Sequence, residues 1–122
     1  MSDAVLTIDL GTSGPKAAVV DVDGHVLGSA RASVTTRFGP GGAAEQDPAE
    51  VWQATVDACR QAVHAAGDAG RDCVAVIASA QYSSVIPVDA DGEPTLPMLT
   101  WMDGRGSPGK LRAAGAPRTN PA

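Results

Sequence analysis

An α/β fold, built on an antiparallel three-strand meander, one crossover helix and further strand, follows from three features of the sequence. First, two apolar runs, Val5 to Leu10 and Ala17 to Val22, flank the Gly-rich stretch Gly11-Thr12-Ser13-Gly14, the pattern of a hairpin. Second, the stretch after Asp47 is amphipathic with helical spacing. Third, Val74 to Ala80 is an uninterrupted apolar run of strand length, as in strands buried on both faces. A helix between two strands, the second fully apolar, predicts a crossover and parallel pairing.

In order, Val5 to Leu10 and Ala17 to Val22 are the first two strands. The Asp23-Gly24 turn leads to a third, from Val26 to about Val34, which completes the meander. Thr35 to Gln46, with Phe38-Gly39-Pro40-Gly41-Gly42, reads as a loop because no periodicity survives there. Asp47 then suits a helix N-cap, Pro48 the first helical position and Glu50 the first turn. The helix runs to about Ala66. Trp52, Val56, Cys59 and Val63 mark its inner face, widened by Ala58, Ala62 and Ala65, and Trp52 reads as a core anchor. Gly67 and Gly70 close it. After the run to Ala80, Val85 to Val88 is a short strand, Asp89 to Pro94 a turn, and Pro97 to Trp101 extended. From Gly106 the composition turns to Gly, Pro and Ala, predicting a disordered tail over 106–122.

The bulk properties narrow the function. With 122 residues the chain is one domain or less. Its net charge of −5 argues against nucleic acid or an anionic membrane as partner. No apolar run reaches membrane-span length, and the N-terminus lacks the layout of a signal peptide, so the chain reads as cytoplasmic. Cys59 and Cys73 form no disulfide framework or zinc spacing, and His25 and His64 read as surface residues.

The hairpin carries the chemistry. Gly11 and Gly14 permit close approach of an anion, and successive N–H groups in such a turn form a nest for it. Thr12 and Ser13 add hydroxyl donors and Lys16 a cation, which suits phosphate. Asp9, just before the turn, is placed to hold the Mg²⁺ that a polyphosphate brings. The same pattern also fits an ordinary hairpin with a solvated aspartate.

Together with Ala44-Glu45-Gln46-Asp47-Pro48 before Trp52, Ser79-Ala80-Gln81 at the end of the apolar run and Thr100-Trp101-Met102-Asp103-Gly104-Arg105, this hairpin resembles the FGGY family of carbohydrate kinases from about Ala4 to Arg105. The resemblance implies a partial ribonuclease-H-like (actin-like ATPase) domain, with residues 1–105 forming an incomplete first domain. It implies phosphorylation of a sugar or polyol hydroxyl with ATP and Mg²⁺. Asp9 is then the metal residue, and Gly11, Thr12, Ser13 and Lys16 meet phosphate. Gln81, Tyr82, Trp101, Asp103 and Arg105 border the sugar, with Arg105 either binding a hydroxyl or orienting Asp103. The family's catalytic aspartate and adenosine motif come later in its sequence and have no counterpart here, so the enzymatic question stays open. The alternatives are a non-catalytic phosphate- or sugar-binding module and a general actin-like ATPase fragment. Pro15 removes one N–H beside the turn, Ala80 and Gly104 depart from the family pattern, and Tyr82-Ser83 replaces the Met-His pair of many xylulose kinases. The helix that normally follows in the family is not evident over 106–122. A half-domain also leaves sheet edges uncovered, which favours self-association.

Overall fold

The computed structural model describes residues 3–107 and 109. Strands β1 (Ala4–Gly11), β2 (Gly14–Asp21), β3 (Val26–Arg31), β4 (Arg37–Gly39) and β5 (Ala43–Gln46) precede helix α1 (Pro48–Ala65), and β6 (Cys73–Ala80) and β7 (Met98–Leu99) follow it. A four-stranded sheet runs in the order β3-β2-β1-β6 and a small three-stranded one in the order β4-β5-β7. The meander is antiparallel, whereas β6 pairs parallel with β1, as the crossover pattern predicts. The expected tail, apart from Gly106, Ser107 and Gly109, lies outside the described residues.

Helix α1 begins as its sequence dictates. The Asp47 carboxylate accepts the Ala49 N–H at 2.9 Å, and Pro48 occupies the first turn, where its missing donor costs nothing. Glu50 in that turn also accepts the Thr35 N–H at 2.8 Å, tying the incoming chain to the helix. Gly67, at φ +60°, takes the left-handed conformation that ends it.

The core of the larger sheet depends on small residues. Directly paired residues share a sheet face, so the register places Leu6, Val19 and Gly28 in one row and Ile8, Ala17 and Ala30 in the next. Ala58 and Ala62 of α1 pack on Ala17, with Leu6, Ala30, Ala32 and Cys59 around them. Gly28 lets the helix come this close, because a Cβ there would collide with the backbone of Ala62 and Ala66. Each methyl-sized group buried this way contributes only about 0.8 kcal/mol, so close approach has to substitute for side-chain bulk.

This packing rotates the helix away from the face read from its large residues. Ala54, Thr55, Ala58 and Ala62 are buried, while Ala65 is exposed and Trp52 remains 69% exposed, so it is not a core anchor. An indole would hold the helix off the sheet, whereas the alanine stripe fits against Gly28 and Ala17. Strand β6 corrects a second expectation. It is the outer strand next to β1, beyond the span of α1, which packs on β2 and β3. Val74, Val76 and Ile77 are therefore exposed rather than covered on both faces.

Three shorter segments also differ from their sequence reading. β3 stops at Arg31. The following chain bonds back to the hairpin, Ala32 N–H to the Pro15 carbonyl at 3.0 Å and Val34 N–H to that of Ser13 at 3.1 Å. The segment 35–46 is not a plain loop, since it holds β4, a tight 3₁₀ turn over Pro40–Gly42, and β5. These strands have three and four residues, too few for a period to show, and the β5–β7 pairing is non-local. Val85 to Val88 forms no strand, only the isolated bridges Val85–Leu99 and Val88–Pro94. Among the described residues no helix is long and apolar enough to cross a membrane.

Two substitutions separate these packing statements. Gly28→Ala should lower stability by about 1–3 kcal/mol through overpacking, and Trp52→Ala should change it by less than about 0.5 kcal/mol as an exposed site. Chemical denaturation of both variants checks the pair, and a large loss at Trp52 would restore the core-anchor assignment.

Candidate functional site

The β1–β2 turn consists of Thr12 and Ser13 between the paired glycines Gly11 and Gly14. Gly14 has φ +138°, and a Cβ there would strike the Ala32 carbonyl, so this position requires glycine on two counts. Gly11 is not among the residues with positive φ.

Asp9 and Lys16 face each other across this hairpin, and the register extends their row to both sides. Ser79 pairs with Asp9, Asp9 with Lys16, and Lys16 with Arg31. These four residues stand on the face opposite α1 and line a shallow groove of ≈ 400 Å³ with Thr7, Ala18 and Ile77. The Ser79 hydroxyl donates to Asp9 Oδ1 at 3.3 Å, and Lys16 Nζ lies 3.6 Å from Asp9 Oδ2. Both partners of that ion pair are more than half exposed, so it contributes little to stability and leaves the charges available. Arg31 directly opposite Lys16 is a like-charge pair, unfavourable until an anion lies between them.

A second group forms beyond the ends of β1 and β6. The Gln81 N–H extends the parallel pairing by donating to the Leu10 carbonyl at 2.9 Å, which seats its side chain beside the turn. The Thr12 hydroxyl donates to Gln81 Oε1 at 3.0 Å and accepts the Trp101 indole N–H at 3.0 Å. Gln46, 1% exposed, reaches the same point from β5. Its Nε2 donates to the Thr12 carbonyl at 2.7 Å and to the Thr36 hydroxyl at 2.9 Å, and its Oε1 accepts from Gln81 Nε2 at 3.3 Å. Trp101 is 55% exposed, so its ring forms a wall instead of filling the core. The Trp101 backbone N–H donates to Ser84 Oγ at 3.2 Å. Ser83, just before it, has φ +53°, a conformation that costs a non-glycine residue about 1–3 kcal/mol. Tyr82 is exposed and enters none of these bonds.

The third group joins the two ends of the smaller sheet. Asp103 Oδ2 accepts the Ala44 N–H at 3.0 Å, and Arg105 holds both Asp103 oxygens through Nε, each at 3.1 Å. Arg105 Nη2 bridges Asp103 and Glu45, 2.6 Å from each. Arg105 is thus ion-paired with Asp103. The Arg105 side chain, with help from the Ala44 N–H, holds the Asp103 carboxyl well below the usual carboxylate range. Thr100 anchors the segment by bonding the Ala44 carbonyl through both its N–H and its hydroxyl, each at 3.0 Å.

The structure therefore brings Thr12, Gln81 and Trp101 together, sets Asp9 and Lys16 beside them on the sheet face, and leaves Ser13 and Tyr82 exposed at the rim. Sequence reasoning assigned no role to Gln46, Glu45, Ser79 or Arg31. The Glu-Gln-Asp-Pro segment was a signal for the first two. The Ser79-Ala80-Gln81 stretch was one for Ser79, whereas Arg31 becomes visible only through register.

A sheet ordered β3-β2-β1-β6, an antiparallel meander extended by a parallel strand beneath one helix, with a Gly-Thr-Ser-Gly turn at its end, defines the opening part of an actin-like ATPase domain of the ribonuclease-H-like kind. The chain belongs to the FGGY family of carbohydrate kinases, matching the N-terminal domain of that family over residues 4–110. It is 37% identical over 105 residues to a xylulose kinase of Streptomyces rubiginosus, covering 85% of this chain and 21% of that protein. It is 32% identical over 114 residues to a glycerol kinase of Delftia acidovorans, covering 91% of this chain and 23% of that one. Among solved structures, a xylulose kinase from Rhodospirillum rubrum superposes with a TM-score of 0.80 at 25% identity, covering 91% of this chain and 23% of its own. The chain thus spans about a fifth of the length of the curated relatives it matches.

The Asp103 contacts predict a pH dependence. A carboxyl whose folded pKa is depressed contributes stability above its unfolded value of about 3.9, and that contribution disappears as pH falls toward the folded value. Asp103→Asn should therefore melt below the wild type at neutral pH, with the gap closing as pH falls below about 4. Thermal melts across that range check this, and a gap independent of pH would assign the loss to shape instead of charge.

Proposed function

We propose that this segment supplies the phosphate turn and the sugar wall of an ATP- and Mg²⁺-dependent kinase acting on a sugar or polyol hydroxyl. The observation that carries the reading is the Thr12–Trp101 hydrogen bond of 3.0 Å. It sets the anion-binding turn directly beside an exposed aromatic wall, and phosphoryl transfer depends chiefly on holding acceptor hydroxyl and phosphate together.

Each group has a part that its chemistry supports. The backbone of Gly11, Thr12 and Ser13, the Ser13 hydroxyl and the Lys16 ammonium meet phosphate oxygens. Asp9 fits Mg²⁺, which takes one or two carboxylates and otherwise keeps water and phosphate ligands. Its carboxylate is half-exposed beside the Ser79 hydroxyl and Lys16. Bound there, the ion offsets charge on the phosphates. Trp101 offers a flat face to the C–H side of a sugar, with Gln81, Tyr82, Asp103 and Arg105 around it. Both xylulose and glycerol kinases are among the relatives, so the substrate stays at the level of a sugar or polyol.

The carboxylates favour a second reading for residues 1–122 by themselves. Asp103 and Glu45 are tied to Arg105, and Asp9 is assigned to the metal. In this reading none of the three is free to take a proton from a substrate hydroxyl, and the base comes from elsewhere. Alone, they form a phosphate- and sugar-contacting module, prone to self-association along the open edge of β6.

Incubating this chain with Mg·ATP and a panel of pentuloses, hexuloses and polyols should give no sugar-dependent ADP release. Release that disappears in Asp9→Ala would overturn the second reading. In a full-length kinase carrying the segment, Asp9→Asn should lower kcat by about 10²-fold or more with the fold retained. Trp101→Ala should raise the sugar KM while sparing the ATP KM. The opposite split at Trp101 would move this residue to the nucleotide side.

A further inference from the structure

The hydrogen bonds around Thr12 have one consistent direction, and it is set from the Gln46 end. The Thr12 carbonyl only accepts, so the Gln46 atom facing it at 2.7 Å is the amide nitrogen. The Gln46 oxygen therefore faces Gln81, which must present its own nitrogen, at 3.3 Å. The Gln81 oxygen then faces the Thr12 hydroxyl, which must donate, at 3.0 Å. A hydroxyl has one proton. With that proton directed to Gln81, its lone pairs remain, and one accepts the Trp101 indole N–H at 3.0 Å. At the opposite end, an indole N–H only donates, so the Thr12 oxygen is its acceptor, in agreement with that order.

Thr12 therefore sits at the phosphate turn with its side chain bound to the other half of the site. We propose that the Thr12 hydroxyl is a positioning group for the sugar wall, fixing the Trp101 indole through a chain that starts at the buried carboxamide of Gln46, and that it does not donate to phosphate. The inference rests on the kinase reading above and refines it. The turn meets phosphate through its backbone and Ser13, while the Thr12 side chain serves the acceptor substrate. Gln46 is buried and makes three hydrogen bonds, so the chain is anchored at an immobile end. Trp101 is more than half exposed, and an exposed ring without such an anchor samples several rotamers. Holding it spares a substrate the cost of ordering that side chain.

Thr12→Val and Thr12→Ser in a full-length kinase carrying this segment test the assignment. Valine keeps the shape and removes the hydroxyl, and serine restores it. Thr12→Val should raise the sugar KM about tenfold, the equivalent of one lost hydrogen bond, with the ATP KM within about twofold of wild type. Thr12→Ser should recover most of the loss. A raised ATP KM with an unchanged sugar KM in Thr12→Val would overturn the proposal and return the hydroxyl to the phosphate. A second readout is independent of turnover. In the NMR spectrum, the Trp101 indole N–H resonance should shift in Thr12→Val and return in Thr12→Ser, while that of exposed Trp52 stays fixed as an internal reference. An unmoved Trp101 resonance would overturn the positioning role. Wild-type protein without sugar-dependent turnover would overturn the kinase reading instead, leaving the indole measurement to decide the role of Thr12.

Discussion

The buried carboxamide of Gln46 joins the two sheets at one point, and the arrangement of the site depends on it. It lies at the end of β5 in the smaller sheet and bonds the turn between β1 and β2 of the larger one. Its second donor goes to Thr36 and its oxygen to Gln81. A buried amide left unpaired costs about 1–3 kcal/mol, so sliding either sheet past the other would carry that penalty. The linkage keeps the β1–β2 turn, the end of β6 and the Trp101 segment in a fixed relation, although they are far apart in the chain.

Two different physical regimes meet at this point. On the sheet face, Ser79, Asp9, Lys16 and Arg31 form a row whose side chains are exposed and weakly paired. Charges in that state interact little with each other in water and remain accessible from solvent. Around Trp101 the opposite holds. Asp103 is 6% exposed at its side chain, and its oxygens are occupied by the Ala44 N–H and by Arg105. That cluster ties the segment just after Trp101 to β5, and the indole beside it is exposed.

The small-residue core has a structural consequence of its own. Gly28, Ala17, Ala58 and Ala62 bring α1 down onto β2 and β3. The helix therefore covers one end of the sheet and leaves β6 open, with Val74, Val76 and Ile77 exposed.

By itself, the sequence determined the elements whose signals are local. The β1–β2 hairpin, the Asp47-Pro48 start of α1 and the parallel placement of β6 were legible because turn chemistry, capping and apolar runs act within a few residues. The family was legible for the same reason, through short motifs in a fixed order. Tertiary structure alone decided which face of α1 is buried, because closeness of approach at Gly28 outweighed the larger area of Trp52. It alone formed β4 and β5, since strands of three and four residues gain their stability from partners elsewhere in the chain. It alone gave Gln46 a role. A glutamine in a motif carries no sign of its partners, and a hydrogen bond to a carbonyl 34 positions away exists only once two sheets have been placed side by side.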